Sequence, residues 1–157
     1  MAKSNKPIPD GYHSVTPYLI IGGGRCQDAL AFYARAFGAK EVMRMPRPDG
    51  GVAHAEIQLG DSKIMLADEH IQQNAYGPNH FGGSPVTLHL YVPDVDATTQ
   101  QAVDSGARLI RALADQFYGD RTAGLEDPFG HTWHLSTHVR DVSMEEMREH
   151  MHEMATA

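Results

Sequence analysis

One pattern of elements occurs twice in this sequence. The segment YLIIGGGRCQDALAFYARAFGAKEVMR begins at Tyr18, and LHLYVPDVDATTQQAVDSGARLIRA begins at Leu88. Each reads as an apolar strand, a turn, an amphipathic helix and a second strand, and the helices close at Gly38 and Gly106. Two copies are too few for a solenoid. The repeat therefore predicts two half-units that combine to form one pocket.

The charge and the cysteine count restrict the class of protein. The 157 residues carry a formal net charge of -7, and no run of Lys or Arg opposes it. This argues against nucleic acid or an anionic membrane surface as a partner, because both are bound by clustered basic residues. Cys26 is the single cysteine, so no disulfide can form within the chain. No stretch approaches the ~18 apolar residues of a membrane span. A soluble cytoplasmic protein is predicted.

Strand and helix signals divide the chain into five parts. These are a polar N-terminal arm at 1–13, a first module at 14–68, an inter-module loop at 69–85, a second module at 86–140, and an amphipathic helix at 141–157. The predicted strands are 15–21, 40–45, 52–59, 63–67, 86–92, 108–111, 121–126 and 131–137, and the predicted module helices are 27–37 and 96–105. Each module is therefore β-α-β-β-β, and the fold class is α+β with helices on one face of each sheet.

Side-chain alternation predicts which residues share a face of each strand. In the strand 52–59, Ala53, Ala55, Ile57 and Leu59 form an apolar set that belongs under the helix. The other set is Val52, His54, Glu56 and Gln58. The same division of the remaining strands gives a second face with polar, aromatic or imidazole groups in both modules.

This second face supplies the candidate site. Its members include Tyr18, His54, Glu56, Met65, His89, Tyr91 and His134. Histidine and glutamate bind divalent metals or transfer protons near neutral pH. The alternative is the solvated outer face of a half-exposed antiparallel sheet. The repeat favours a site, because both halves show the same bias.

Three segments carry a family resemblance. The helix LAFYARAFGAKE, the strand pair HAEIQLGDSKIMLADE and the segment YGDRTAGLEDPFGHTWHLSTH resemble the glyoxalase/bleomycin-resistance family of the vicinal oxygen chelate superfamily, in its PhnB-like branch. The resemblance covers about residues 14–143 and implies two paired βαβββ modules. It does not identify a substrate, because isomerases, dioxygenases, thiol transferases and antibiotic-sequestering proteins share this fold.

The resemblance also implies positions for a divalent metal such as Zn, Ni, Mn or Fe. In metal-dependent members the first and last strands of each module supply the ligands. The last-strand positions fall on His134 and on Met65, and the thioether of Met65 does not suit a hard divalent ion. His89 lies on the same predicted face as His134. The resemblance thus implies His89 and His134 as tentative metal ligands, within an altered ligand set.

Three functions stay open at this point. In the first, a metal-dependent enzyme acts on a small oxygen-rich substrate, and Glu56 or His54 transfers the proton. In the second, a metal-free protein binds or sequesters a small molecule in a pocket lined by Tyr18, Met65, Tyr91 and Arg121. In the third, the Met-rich tail makes the chain a structural or regulatory homodimer.

Two further residues have open interpretations. Arg121 could instead form an internal ion pair. His70, in the loop, could close over a ligand or lie in solvent.

Overall fold

The computed structural model describes residues 6–156 and confirms the α+β fold. In chain order the helices and strands are β1 (Tyr18–Ile21), α1 (Cys26–Phe37), β2 (Lys40–Pro46), β3 (Val52–Leu59), β4 (Ser62–Asp68), β5 (Thr87–Tyr91), α2 (Val95–Asp104), β6 (Arg108–Asp115), β7 (Asp120–Glu126), β8 (Thr132–His138) and α3 (Met144–Thr156). Part of the predicted N-terminal arm, residues 1–5, lies outside the described residues.

The chain divides into two compact units, and the boundary along the sequence lies between Gly83 and Ser84. The first contains a four-stranded sheet of order β1-β4-β3-β2, and the second contains one of order β5-β8-β7-β6. In each sheet the first strand pairs parallel with the last, and the other neighbours are antiparallel. The two units thus share one topology, as the repeat predicts.

Helix α1 packs on the first sheet through one apolar stripe. Ala29, Leu30, Phe32, Tyr33 and Ala36 are buried. The helix ends where Gly38 adopts the left-handed conformation (φ 70°) and donates its N–H to the Ala34 carbonyl. A side chain at this φ would be strained, so glycine suits the helix end.

Helix α2 begins with a side-chain cap. The Asp94 carboxylate accepts a hydrogen bond from Ala97 N (3.0 Å), which satisfies one of the unpaired amides of the first turn. Its buried residues are Val95, Thr99 and Ala102, and the second sheet contributes Leu125, Trp133 and Leu135 to the core. The apolar residues of β8 thus lie on the buried side, as alternation predicts.

The face predicted for the first two residues of β3 is wrong. Val52 is 2% exposed, whereas Ala53 is exposed. The pairing of β2 with β3 shifts register between Met45 and Pro46, which is opposite this end of β3. An irregularity of this kind interrupts alternation locally. Ala53 is therefore available to a surface cavity.

The C-terminal helix α3 begins with a capping box. Glu146 N donates to Ser143 Oγ (3.2 Å), and Ser143 N donates to Glu146 Oε2 (2.8 Å). Met144, Met151 and Met154 are exposed on this helix. Across residues 6–156, no helix is both long and apolar enough to cross a membrane.

Candidate ligand-binding faces

The first sheet has one polar face. Met65 is paired with Tyr18 of β1 and with Glu56 of β3, so these three side chains project to the same side. His54, two residues before Glu56, joins them. We call Tyr18, His54, Glu56 and Met65 the first polar face. The structure thus brings together the four site residues that the sequence predicts in the first module.

A chain of hydrogen bonds links the first polar face. His54 Nε2 lies 3.0 Å from Glu56 Oε1, and His54 Nδ1 lies 2.8 Å from the Tyr18 hydroxyl. An ionised carboxylate can only accept, so Nε2 carries a hydrogen, and in the tautomer protonated at Nε2 alone Nδ1 accepts the Tyr18 O–H. The Tyr12 hydroxyl donates to the other oxygen of Glu56. Both imidazole nitrogens and both carboxylate oxygens are therefore engaged.

Glu56 is a buried carboxylate that stays ionised. Only 5% of the residue is exposed. Burial acts to raise the Glu56 pKa, but the hydrogen bonds from His54 and Tyr12 outweigh burial, and the net pKa is lowered. Lys63 adds to this effect, and its ammonium lies 4.8 Å from the centre of the Tyr12 ring. Through these contacts, Tyr12 holds the segment that precedes β1 against the first sheet.

A cavity of about 420 Å³ adjoins the first polar face. Tyr18, Ile20, Ala53 and Ala67 give it apolar walls. Its polar lining comes from Arg47, Asp68, His70 and Gln73. The Nδ1 atom of His70 is buried and has no hydrogen-bond partner in the described part of the chain.

The second sheet carries a corresponding polar face. His89 is paired with His134 across β5 and β8, and their ring centres are 4.9 Å apart. The His89 ring centre is also 4.8 Å from that of Tyr91, whose hydroxyl donates to Asp120 Oδ2 (2.8 Å). We call His89, Tyr91, Asp120 and His134 the second polar face. The two tentative metal ligands are therefore neighbours.

Two imidazoles on the second polar face are candidate ligands for a metal ion. Burial, followed by the charges of His89 and Arg111, lowers the pKa of His134, which favours the neutral imidazole that a metal requires. However, no group of three or more His, Cys, Asp or Glu side chains within residues 6–156 is placed to hold an ion. Protein zinc sites usually have three or four such ligands. Within residues 6–156, His89 and His134 alone therefore supply fewer protein ligands than such a site usually has.

Arg121 lies away from the second polar face. It is paired with Thr137 of β8, and alternation places it on the opposite side of β7 from Asp120. Its guanidinium makes two bonds to Asp96 of α2 (2.7 and 2.8 Å) and one to Asp115 of β6 (3.0 Å). The structure therefore does not bring Arg121 together with Tyr91, and the guanidinium forms the internal ion pair that the sequence left open.

A histidine between two carboxylates makes the second unit sensitive to pH. His138 Nδ1 donates to Asp120 Oδ1 (2.7 Å), and Nε2 donates to Asp141 Oδ1 (3.0 Å). The bonds to Asp120 and then Asp141 raise the His138 pKa above its ordinary 6.5. Because the folded pKa is raised, this stabilisation is complete below pH ~6.5 and is lost as pH rises through the folded pKa.

We expect NMR titration to show a His138 pKa above 6.5 in the folded protein, and Asp120→Asn to lower it. Asp10→Asn serves as the control, because Asp10 is an exposed aspartate that is paired with Lys6 in the other unit. A His138 pKa that does not change in Asp120→Asn would show that the carboxylate does not hold the imidazolium.

Three residues of these sites were not predicted from the sequence. Tyr12 lies in a segment without periodicity, and its partner Glu56 is 44 residues away. Ala53 was assigned to the opposite side. Arg111 appeared only as the end of a short strand, yet it lines a cavity with His134. Placing Arg111 beside His134 requires the register of β6 with β7. Hydrophobic alternation alone does not supply that register.

Comparison with known proteins identifies the family. The sequence model of the Glyoxalase/Bleomycin resistance protein/Dioxygenase superfamily matches residues 15–135. The uncharacterized protein Mb0911c of Mycobacterium bovis is 40% identical over 141 residues, which cover 88% of this chain and 91% of that protein. The structure resembles the X-ray structure of the Arabidopsis thaliana At5g48480 product, with TM-score 0.66, 28% identity, and coverage of 80% of this chain and 98% of the other.

A PhnB protein from Bacillus cereus, described as a putative 3-demethylubiquinone-9 3-methyltransferase, shares the fold. Its TM-score is 0.61 at 18% identity, over 80% of this chain and 99% of that chain. At this identity the likeness concerns the fold and not the activity. With a family match over most of its length and a 40% identical relative, this chain belongs to the Glyoxalase/Bleomycin resistance protein/Dioxygenase superfamily.

Proposed function

We propose that this protein binds a small molecule in the 420 Å³ cavity of its first unit and that binding requires no metal ion. The volume lies within the range of about 300–1,000 Å³ that is typical of small-molecule sites. Apolar walls with a few converging polar groups are also typical of such sites. The support comes from residues of one unit, and the hydrogen-bond chain of the first polar face borders the cavity at Tyr18.

The unpaired nitrogen of His70 is the observation that carries this proposal. A buried polar atom without a partner costs about 1–3 kcal/mol. His70 Nδ1 is such an atom, and His70 is one of the residues that line the cavity. A ligand with a hydrogen-bonding group at this position would remove the cost. Most other polar atoms of the lining are already engaged: Asp68 accepts from Cys26 N (2.8 Å) and Val52 N (2.7 Å).

The walls indicate the chemical class of the ligand. Tyr18 is 47% exposed, so much of its ring is accessible, and Ile20, Ala53 and Ala67 add apolar surface. Aromatic rings bind other rings and cations through their faces. The net charge of -7 disfavours an anion. We therefore propose a neutral or cationic molecule with an aromatic or apolar body and one polar group that faces His70.

A ligand screen by thermal shift in EDTA tests this proposal. We expect a neutral or cationic aromatic compound to raise Tm in EDTA. Ala53→Leu should abolish the shift by filling the cavity, and His70→Ala should weaken binding roughly tenfold, because a ligand hydrogen bond is lost. Gln58→Ala is the control and should bind normally. Gln58 lies on β3, the strand of Ala53, and its exposed amide donates to the Gly60 carbonyl oxygen.

Two outcomes would contradict the proposal. One is a set of hits that Ala53→Leu binds as well as the unmodified protein does. The other is binding that occurs only when EDTA is omitted.

The second of these outcomes would favour a metal-dependent enzyme, which one observation supports. His89 and His134 are adjacent imidazoles on the second polar face. A divalent ion there would supply Lewis-acid chemistry toward a small oxygen-rich substrate. In the same screen without EDTA, this candidate predicts stabilisation by Zn, Ni, Mn or Fe that His134→Ala abolishes.

A further inference from the structure

We propose that Arg111 and His134 form a binding site for an oxyanion, such as the carboxylate or phosphate group of a small ligand, on the second sheet. This site lies in the second unit, whereas the proposed cavity lies in the first. It also concerns a ligand group of opposite charge. A negative result for one of the two proposed sites therefore leaves the proposal for the other site unaffected.

A glycine between the two residues makes room for the arginine. Gly124 of β7 is paired with His134 on one side and with Arg111 of β6 on the other. A Cβ atom at Gly124 would lie 3.0 Å from Arg111 Cβ, 3.1 Å from Cγ and 3.3 Å from Cδ. The methylene stem of Arg111 thus lies over the backbone of Gly124. Any larger residue at 124 would displace this stem.

The cavity at this position is lined by hydrogen-bond donors. It has a volume of about 210 Å³, and Arg111 and His134 share it with the threonines Thr87 and Thr132. These threonines are paired across β5 and β8, so they lie side by side two residues from the His89–His134 pair. No Asp or Glu lines the cavity. Cationic and hydroxyl donors without a competing carboxylate suit an anionic group.

The Arg111 guanidinium is available to a ligand. Within residues 6–156, its side chain makes no hydrogen bond or ion pair, whereas Arg108 of the same strand is bonded to Glu126 (3.0 Å). A guanidinium presents a planar fork of donors that matches the two oxygens of a carboxylate or phosphate. Arg111 and His134 are both paired with Gly124 and line the same cavity, so the two residues are close.

The neighbouring charges leave this donor set available. The carboxylate that acts on His134 is Asp120, and it accepts bonds from Tyr91 and His138. An imidazole carries at least one ring N–H in either protonation state, so His134 can donate a hydrogen bond. An oxyanion would thus meet the Arg111 fork, one imidazole N–H and two hydroxyls.

NMR titration of the full chain with inorganic phosphate and with acetate, in EDTA and at constant ionic strength, tests the proposal. We expect saturable shifts of the His134 ring resonances with either phosphate or acetate, and none with chloride. Arg111→Gln should weaken binding about tenfold or more, because hydrogen bonds to a charged group are lost. Arg108→Gln, on the same strand, is the matched control and should bind as the unmodified protein does.

Gly124→Ala adds a steric test. Its new methyl group should displace the Arg111 stem and weaken binding, although every donor is retained. Arg111 is exposed, so Arg111→Gln stays informative if Gly124→Ala does not fold. Three results would overturn the proposal: equal shifts with chloride, unchanged affinity in Arg111→Gln, or equal losses in Arg111→Gln and Arg108→Gln. Comparing the two anions shows whether the site prefers a carboxylate or a phosphate.

Discussion

Replacing Asp127 with alanine is expected to lower the free energy of unfolding by about 4 kcal/mol. Asp127 is 4% exposed and accepts three hydrogen bonds. Oδ1 accepts from Phe129 N (2.9 Å) and His131 N (3.0 Å), and Oδ2 accepts from Trp133 Nε1 (2.9 Å). Alanine would remove the acceptor of these three hydrogen bonds at a buried turn. Each unpaired donor costs about 1–3 kcal/mol, and partial hydration of the turn reduces the sum.

Chemical denaturation of two further variants separates the contributions. Asp127→Asn keeps an acceptor for the two amides but presents an NH₂ group to Trp133, so we expect an intermediate loss of about 2 kcal/mol. Asp104→Ala removes an exposed carboxylate of α2 in the same unit and should change stability by less than ~0.5 kcal/mol. If Asp127→Ala came within about 1 kcal/mol of this control, the turn would not depend on its carboxylate.

The tetrapeptide at this turn shows what local sequence can predict. Asp127-Pro128-Phe129-Gly130 predicts a type I turn, and Gly130 N does donate to the Asp127 carbonyl (3.1 Å). Proline and glycine prefer particular backbone angles, and four consecutive residues determine this turn. The turn can therefore be predicted from the local sequence. The ends of the two repeated helices, before Gly38 and Gly106, can also be predicted from local sequence. Because the order of elements is repeated, the repeat then predicts that the two sheets share one topology.

Other parts of the site depend on contacts that local patterns do not encode. Period-two alternation placed His54, Glu56 and Met65 together, because one face of β3 and β4 is buried and the register is thereby specified. Alternation failed at Ala53, where the pairing with β2 is irregular. It also could not assign Tyr12, which is held by Glu56 from a segment without regular structure.

Long-range ion pairing decided the position of Arg121. From sequence, Arg121 has two open interpretations, pocket lining and an internal ion pair. Asp96 comes from α2 and Asp115 from β6, so both partners reach Arg121 only after the unit has folded. Spacing along the chain does not report such convergence.

Replacing Gly119 with alanine is expected to lower the free energy of unfolding by about 3 kcal/mol. Gly119 adopts φ 99°, in which a residue with a Cβ costs about 1–2 kcal/mol. Its carbonyl accepts from Val139 N (2.9 Å) and Arg140 N (3.1 Å). A Cβ here would overlap the Arg140 carbonyl oxygen and lie 3.0 Å from Val142 Cγ2. Since the overlap involves backbone, the chain after β8 would have to move and weaken these two hydrogen bonds.

Gly50→Ala is a matched control that isolates the steric overlap from the backbone strain. Gly50 adopts φ 86° and donates its N–H to the carbonyl three residues earlier, as Gly119 does, but a Cβ there meets nothing within 4 Å. We expect Gly50→Ala to cost only the strain of about 1–2 kcal/mol, reduced by about 0.4–1 kcal/mol because alanine restricts the unfolded chain. In chemical denaturation, Gly119→Ala should lower the free energy of unfolding by more than Gly50→Ala does. Displacement of residues 139–142 should also separate Asp141 from His138 and so lower the His138 pKa. Equal losses in the two variants, with an unchanged His138 pKa, would show that the chain after β8 yields without cost and that the conformation of Gly119 alone requires glycine.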